Sequence, residues 1–297
     1  MKKNLLSLYI HWPYCMSKCP YCDFNSHVNE TVDIDLWIKS YTNQIFQMKE
    51  DIKKYNLNYD GLTSIFFGGG TPSLMPLKII ESILNTSLKV FNFNENIEIS
   101  LEANPSSYET QKFLDLKKLG INRISIGAQS LNSNNLKFLG RLHNINDIYR
   151  SLNHATKIFN NVSADLMYAF YGQDLNLWIN ELETFIKNFD LQHISLYQLT
   201  IEKGTKFFTD YKRGLIQLMD NDLAADFYTK TNEILNNYKF NKVFGGDKIG
   251  YLSKTYLDSP FVYECARGNV VSDHPITEMD GQGIKVKDVK TGKFYEL

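Results

Sequence analysis

The chain has 297 residues, of which 43% are hydrophobic and 13% aromatic, so it can bury one large core, alone or with an appendage. Its 32 basic and 33 acidic residues leave a net charge of -1, and this balance gives no basic field that would favour nucleic acid or an anionic membrane surface as a partner. The N-terminus has no long apolar segment with a cleavage site, and no later run approaches the length of a bilayer span. We therefore expect a cytoplasmic protein that does not bind nucleic acid.

Apolar runs and amphipathic runs alternate over roughly the first 240 residues. The predicted strands are 6–11, 62–67, 96–102, 123–128, 162–168 and 193–199. The predicted helical segments are 33–54, 77–91, 108–119, 133–159 with an interruption, 176–188 and 221–238. Short apolar strands that alternate with helices predict a parallel sheet covered by helices, with its chemistry at the carboxyl ends of the strands.

The composition changes after about residue 241. Seven of the 17 glycines occur from Gly245 onward, and the strand–helix alternation does not continue. A small hairpin is predicted over 284–294, with its turn near Asp288 or Thr291–Gly292. We therefore predict a core domain over 1–241 and a short irregular C-terminal appendage over 242–297.

Three of the four cysteines, Cys15, Cys19 and Cys22, lie within eight residues in a C-x3-C-x2-C pattern, and Cys265 is far away. In a reducing compartment such spacing favours a metal over disulfides. Structural zinc needs four ligands, so zinc stays open if His11 or His27 supplies the fourth. A 4Fe-4S cluster held by three thiolates leaves one iron for a substrate, which is the sharper hypothesis.

The segments YIHWPYCMSKCPYCDFNS, FFGGGTPSLM, SLEANPSS and RISIGAQSLN resemble the radical S-adenosylmethionine (SAM) superfamily. Within it they are similar to the branch that holds the heme chaperone HemW and the oxygen-independent coproporphyrinogen III dehydrogenase. The resemblance extends from residue 6 to about residue 240 and implies an α/β fold, a partial (βα)6 TIM-like barrel. It implies that Cys15, Cys19 and Cys22 ligate a 4Fe-4S cluster whose open iron chelates the methionine part of SAM. Electron transfer through the cluster would then yield a 5'-deoxyadenosyl radical.

The resemblance also implies a set of SAM contacts at the strand ends. Backbone groups of Gly69, Gly70 and Thr71 could approach the methionine amino group, because glycine has no Cβ to obstruct it. Glu102 is suited to accept hydrogen bonds from the ribose hydroxyls. An exposed helix-capping role remains the structural alternative for Glu102.

Further contacts are implied on the other predicted strands and on the cysteine loop. Gln129 and Arg141 resemble polar SAM contacts, and a guanidinium can pair bidentately with the methionine carboxylate. The resemblance assigns Asp165 to the adenosyl side and places Tyr9 and Tyr21 beside SAM. A surface arginine and a strand-core aromatic are the alternatives for Arg141 and Tyr9.

The residues after the third cysteine favour one branch of the family. Cys22 is followed by Asp23 and Phe24, whereas the dehydrogenase branch usually has a glycine and then a further cysteine at these two positions. This difference favours the HemW-like pattern. The resemblance then implies binding of heme or a porphyrin, delivery to heme-acceptor proteins, including a membrane-associated one, and a flavodoxin or ferredoxin as electron donor. Radical decarboxylation by a coproporphyrinogen III dehydrogenase and a SAM-binding remnant without transfer activity stay open.

The segment after residue 240 departs from the family. HemW-like proteins carry a further domain there that is linked to heme handling, and 242–297 does not resemble it. Cys265 and His274 are its only strong candidates for heme-iron ligands. We favour a truncated or rearranged reading frame over a substitute domain, which puts heme transfer by this chain in doubt and keeps the SAM-binding remnant open as an alternative.

Overall fold

The computed structural model describes residues 5–28, 31–245, 248–253, 285–287 and 294–296. Its strands are β1 (Leu5–Trp12), β2 (Tyr14–Cys15), β3 (His27–Val28), β4 (Gly61–Gly69), β5 (Phe93–Ala103), β6 (Arg123–Gln129), β7 (Asn161–Tyr168), β8 (His193–Gln198), β9 (Phe240–Gly245), β10 (Lys248–Ser253), β11 (Lys285–Lys287) and β12 (Phe294–Glu296). Its helices are α1 (Ile34–Lys54), α2 (Leu77–Val90), α3 (Ser107–Gln111), α4 (Phe113–Lys118), α5 (Ser133–Phe138), α6 (Ile145–Ile158), α7 (Leu175–Asn188), α8 (Lys206–Lys212) and α9 (Asn221–Asn237), and a short 3₁₀ helix spans Pro72–Leu74.

The main sheet has the order β1-β4-β5-β6-β7-β8-β10-β9, and its first six strands are parallel. Helices follow these strands along the chain, which gives a partial (βα)6 barrel whose edges do not pair with each other in the described part of the chain. All six predicted strands are present, so the predicted fold class is confirmed.

The two faces of the sheet differ in chemistry. In β5, Ile97, Ile99 and Leu101 are buried in the main hydrophobic core, whereas the residues between them, such as Glu98 and Ser100, are polar. Side chains alternate between the faces of a strand, so the apolar residues face the helices and the polar residues line the barrel interior. The site is therefore built on the polar face.

Two predicted helical segments are each divided in the structure. The segment predicted over 108–119 forms α3 and α4, which meet at Lys112. The segment over 133–159 is interrupted by a turn in which Gly140 has a φ of 64°, and α6 then begins with a capping box between Asn144 and Asp147. Helix α8 was not predicted. No helix of the described residues is both long enough and apolar enough to cross a bilayer.

A β-hairpin spans the predicted boundary between the core domain and the appendage at residue 241. Strands β9 and β10 pair antiparallel, and β10 pairs antiparallel with β8, so the sheet continues past residue 241. Strands β11 and β12 form the antiparallel pair predicted near 284–294, while its predicted turn at Asp288 or Thr291–Gly292 lies outside the described residues. Cys265 and His274 also lie outside them. The division into 1–241 and 242–297 stays a prediction.

Candidate functional site

The three clustered cysteines lie in the loop after β1. Cys15 belongs to β2, and the backbone N–H of Cys22 donates to the Cys19 carbonyl at 3.1 Å, which closes a turn around the second and third thiols. The His27 N–H donates to the Pro13 carbonyl at 2.7 Å, so the end of the loop returns to its beginning. The backbone of the loop therefore gathers the three cysteines into one small region.

The three thiols are free, partly buried and close enough to affect one another. Burial raises the pKa of Cys22, and the neighbouring Cys19 and Cys15 raise it further. Burial also raises the pKa of Cys15, again with a contribution from Cys19. The charge of Cys19 raises the pKa of both Cys15 and Cys22, which indicates that the three side chains share one site.

Each thiol also accepts a hydrogen bond. The donors are Thr71 Oγ1 to Cys15 Sγ at 3.4 Å, an Arg141 guanidinium nitrogen to Cys19 Sγ at 3.2 Å, and the Phe24 backbone N–H to Cys22. Thiolates are the form that binds metal, and such donors stabilise them.

Ser26 tests whether these residues fit a cluster. Its hydroxyl is buried and makes no well-formed hydrogen bond within the described residues, but its weak interaction with the thiols lowers the pKa of Cys15 and Cys22. A buried hydroxyl without a partner costs about 1–3 kcal/mol, so an acceptor between the thiols would be favourable. The sulfur atoms of a 4Fe-4S cluster are acceptors of this kind, and the residues present fit one.

His11 is not available as a fourth zinc ligand. The Tyr9 hydroxyl donates to His11 Nδ1 at 3.2 Å, and His11 Nε2 donates to the Asn25 carbonyl at 3.0 Å, so both ring nitrogens are engaged. His27 is exposed. Among the residues that the structure describes, no three His, Cys, Asp or Glu side chains are placed to hold a single metal ion.

The glycine turn after β4 packs directly on the cysteine loop. The Gly70 N–H donates to the Trp12 carbonyl at 2.6 Å, and the Thr71 N–H donates to the Tyr14 carbonyl at 2.9 Å. A Cβ on Gly70 would lie 2.8 Å from the Tyr14 carbonyl oxygen and 3.0 Å from Cys15 Sγ. A side chain at this position would therefore push the loop away.

Gly69 is required for two reasons. Its φ of 113° is disfavoured for residues other than glycine, and a Cβ there would lie 2.7 Å from His11 Nδ1. The predicted reason for the glycines was close approach of a ligand, and the structure adds a reason within the protein itself. An ammonium group has donors and no acceptor, so an ammonium ligand at this turn would pair with its carbonyl oxygens.

Arg141 joins the turn after α5 to the cysteine loop. Its Nη1 donates to Cys19 Sγ at 3.2 Å and to the Tyr21 hydroxyl at 3.3 Å. Its Nη2 donates to the Gly127 carbonyl at 3.3 Å and to Asn104 Oδ1. Bidentate pairing with a carboxylate, as predicted, would use the Nε–H edge or replace one of these contacts.

Tyr9, Glu102 and Asp165 surround the same part of the barrel interior. Burial raises the pKa of Tyr9, and the charge of Glu102 raises it further, so the β1 phenol and the β5 carboxylate are neighbours. Ser125 Oγ lies 3.4 Å from both carboxylate oxygens of Asp165. Burial, followed by the charges of Asp165 and Glu102, raises the pKa of Tyr197, which the sequence did not single out.

Gln129 ends β6 in a strained conformation. Its φ of 68° is unusual for a residue other than glycine, and the β6–β7 register shifts between Ile126 and Gln129. Such strain costs about 1–3 kcal/mol and is found preferentially at functional sites. A Cβ on Gly127 would lie 2.9 Å from Gln129 Nε2 and 3.4 Å from Arg141 Nη2, so this glycine lets the two predicted SAM contacts converge.

Two polar residues after β5 were missed by sequence reasoning, Asn104 and Glu109. Glu109 is 1% exposed, and it accepts hydrogen bonds from the Asn104 N–H at 2.8 Å, from Ser106 Oγ at 3.0 Å and from Ser73 Oγ. Burial raises the pKa of Glu109 against these donors. The S-x-x-E spacing of Ser106 and Glu109 is a capping-box signal that could have indicated this interaction.

The family model of the radical SAM superfamily matches residues 9–183 of this chain, a range that holds the cysteine loop, the glycine turn and the predicted SAM contacts. The heme chaperone HemW of Buchnera aphidicola subsp. Acyrthosiphon pisum is 36% identical over 298 residues, which cover 97% of this chain and 77% of that protein. HemW of Haemophilus influenzae is 39% identical over 262 residues, covering 85% of this chain and 66% of that protein. The chain belongs to the radical SAM superfamily and, within it, to the HemW-like proteins.

The alignment with the Buchnera aphidicola HemW includes part of the C-terminal segment 242–297. An alignment over 97% of the chain includes residues beyond 241, where the resemblance was expected to stop. The mitochondrial radical S-adenosyl methionine domain-containing protein 1 of Danio rerio is 35% identical over 269 residues, covering 90% of this chain and 55% of that protein. The chain thus spans about half the length of such relatives.

Solved structures agree on the fold. Coproporphyrinogen III oxidase HemN from Escherichia coli, a radical SAM enzyme, superposes with a TM-score of 0.73 at 22% identity, over 90% of this chain and 59% of that chain. Elp3 from Methanocaldococcus infernus superposes with a TM-score of 0.52 at 16% identity, over 78% of this chain and 54% of that chain. At these identities the likeness establishes the partial barrel alone.

Proposed function

We propose that this protein binds a 4Fe-4S cluster through Cys15, Cys19 and Cys22, binds SAM at the remaining iron, and acts as a heme chaperone. The observation that carries the proposal is the cysteine loop itself. Its three free thiols are gathered in one region, each receives a hydrogen bond, and the loop is tied to the glycine turn. When bound, such a cluster supplies an electron to SAM.

The protein groups at the strand ends suit the parts of SAM. The carbonyl oxygens of the turn at Gly69 and Gly70 can accept from the methionine ammonium, and Arg141 can donate to the carboxylate. Glu102 can accept from the ribose hydroxyls, because a carboxylate is an acceptor only. Thr71 stands between this turn and the Cys15 thiol.

The remaining predicted contacts line the space between these groups. Asp165 lies on β7 and is the residue that we assign to the adenosyl side, and Gln129 supplies an amide at the end of β6. Tyr9 and Tyr21 present aromatic rings beside the methionine and the cluster, where they exclude water from the site.

We propose heme or a porphyrin as the cargo and heme-acceptor proteins, including a membrane-associated one, as partners. The names of the HemW relatives support this cargo. A flavodoxin or ferredoxin is the proposed electron donor, and the cytoplasm the proposed compartment.

Anaerobic reconstitution with iron and sulfide tests the cluster. We expect wild-type protein to take up one 4Fe-4S cluster per chain, with an absorption spectrum that changes on addition of SAM. Replacing any of Cys15, Cys19 and Cys22 with serine should abolish this uptake. The matched control is Met16→Ala, because Met16 lies between two of the cysteines and is 60% exposed. An iron-free wild type, or serine variants that load as wild type does, would contradict the proposal.

Heme titration of the reconstituted protein tests the chaperone assignment. We expect saturable heme binding and transfer to an apo-acceptor, with no conversion of coproporphyrinogen III. Conversion to protoporphyrinogen would instead identify the dehydrogenase. A protein that binds cluster and SAM but no heme would be the remnant.

A further inference from the structure

Asn104 follows β5, and its side chain contacts the hydrogen-bond donors of two of the three thiols. Asn104 Nδ2 donates to Thr71 Oγ1 at 3.2 Å, and Thr71 Oγ1 donates to Cys15 Sγ at 3.4 Å. Asn104 Oδ1 accepts from Arg141 Nη2, and Arg141 Nη1 donates to Cys19 Sγ at 3.2 Å. A single amide is therefore one residue removed from both thiols.

The chemistry of these neighbours requires an amide. Arg141 has donors and no acceptor, so it must face the amide oxygen of Asn104. Thr71 has one hydroxyl proton. When that proton is donated to sulfur, the Thr71 oxygen can act only as an acceptor, so the amide nitrogen of Asn104 must face it. An aspartate would accept from both neighbours and draw the Thr71 proton away from the thiol. A leucine would support neither contact.

The backbone fixes the position of this amide. The buried carboxylate of Glu109 accepts from the Asn104 N–H at 2.8 Å and, with the same oxygen, from the hydroxyl of Ser73. Ser73 lies two residues after Thr71, in the 3₁₀ helix that follows the glycine turn. One carboxylate therefore holds Asn104 and the Thr71 segment in a constant relation.

We propose that Asn104 is a positioning residue for the iron–sulfur cluster: by holding Thr71 and Arg141, it directs their protons onto the sulfur atoms of Cys15 and Cys19 and thereby raises the reduction potential of the cluster. This inference rests on the cluster proposed above. Hydrogen bonds to ligand sulfurs stabilise the reduced cluster more than the oxidised one, because reduction adds negative charge. Loss of Asn104 therefore lowers the potential without removing a ligand.

Redox titration of the reconstituted protein, followed by electron paramagnetic resonance in the absence of SAM, tests the proposal. We expect Asn104→Leu to take up the cluster with a lower midpoint potential than wild type. The matched control is Asn122→Leu, because Asn122 Oδ1 accepts from the Ile99 N–H at 2.8 Å and its Nδ2 donates to the Ile97 carbonyl at 2.7 Å. This second amide also bridges two groups, but it lies at the opposite ends of the strands, so its loss should leave the potential unchanged.

A double-mutant cycle separates positioning from a general structural effect. Thr71→Val keeps the shape of the side chain and removes the proton donated to Cys15, so it should lower the potential less than Asn104→Leu does. If Asn104 acts through Thr71, the double variant should show a smaller shift than the sum of the two single shifts. Additive shifts would contradict positioning through Thr71.

The outcomes distinguish this inference from the proposed function. A wild type without a cluster refutes the proposed function, whereas loaded Asn104→Leu with the wild-type potential refutes only the role of Asn104. Should Asn104→Leu fail to load while Asn122→Leu loads, the potential of Thr71→Val decides. A lower potential then supports the hydrogen-bond chain, and an unchanged potential overturns it.

Discussion

The two ends of the barrel interior are both polar, but their polar groups are satisfied differently. At the amino ends of the strands, side chains pair with one another. Arg123 Nη1 lies 3.3 Å from Ser100 Oγ and 3.8 Å from a Glu98 carboxylate oxygen, and Ser163 Oγ lies 2.7 Å from His193 Nδ1. These contacts connect neighbouring strands, and each polar side chain has its partner within the protein.

At the carboxyl ends the backbone is strained and the side chains converge on a space. Gln129, the last residue of β6, has a φ of 68°, and Ala169, which follows β7, has a φ of 62°. Gly69, at the end of β4, has a φ of 113°. The thiols of the cysteine loop and the buried Ser26 hydroxyl lie at this end. The difference teaches that polar residues inside a barrel do not by themselves mark a binding site, and that strained backbone at non-glycine residues is the better sign of the end that is built for a ligand.

The largest expected effect concerns the amino ends, where His193 is buried beside Ser163. Burial, followed by the charge of Arg123, lowers the pKa of His193 from 6.5 to about 3. Below about pH 6.5 the unfolded chain binds a proton at His193, whereas the folded protein keeps this histidine neutral. The free energy of unfolding is therefore unaffected by His193 above about pH 6.5 and falls as the pH is lowered toward 3. This corresponds to a loss of up to about 5 kcal/mol.

Urea unfolding over a series of pH values checks this prediction. His193→Gln should flatten the fall in unfolding free energy between about pH 6.5 and 3. The comparison variant is His143→Gln at the carboxyl ends, where burial and then the charge of Arg141 lower the pKa to about 4, so it should remove a smaller part of the fall. A His193→Gln profile parallel to that of wild type would show that this histidine is not held neutral.

The next effect concerns contact between the glycine turn and the cysteine loop. Gly70→Ala should destabilise the protein by about 1–3 kcal/mol and reduce cluster uptake, because the new Cβ meets Tyr14 and Cys15. Gly172→Ala is the control, since a Cβ there has no neighbour within 4 Å and only the φ of 76° is penalised, by about 1–2 kcal/mol. Thermal unfolding and iron content measure both variants. Normal uptake by Gly70→Ala would mean that the loop tolerates the displacement.

The smallest effect concerns Ser26, and it should change sign with the cluster. Without the cluster, Ser26→Ala removes a buried hydroxyl that lacks a partner within the described residues and should stabilise the protein by about 1 kcal/mol. With the cluster, the same change should destabilise it, because an acceptor is then present. Ser87→Ala removes a similarly buried hydroxyl from α2 and should act equally in both states. Unfolding free energies of apo and reconstituted proteins decide, and equal effects of Ser26→Ala would contradict our account.

Some parts of the fold could be predicted because their signal is local. In β5, buried apolar residues such as Ile99 and Leu101 alternate with polar ones, and this period is visible in the sequence. Helix α8 was missed because its seven residues are too few to show a helical period. The hairpin of β9 and β10 was missed because a strand at the edge of a sheet is defined by its partner, here β8, rather than by its own pattern.

The sequence by itself determined the three thiols, the glycine turn and the six parallel strands, because spacing and alternation are properties of the chain. Only the tertiary structure decided that Asn104 bridges Thr71 and Arg141, that Ser26 is buried beside two thiols, and that His11 is already engaged. These facts depend on atoms that are far apart in the chain. Hydrogen bonding requires distance and direction, and folding alone supplies both.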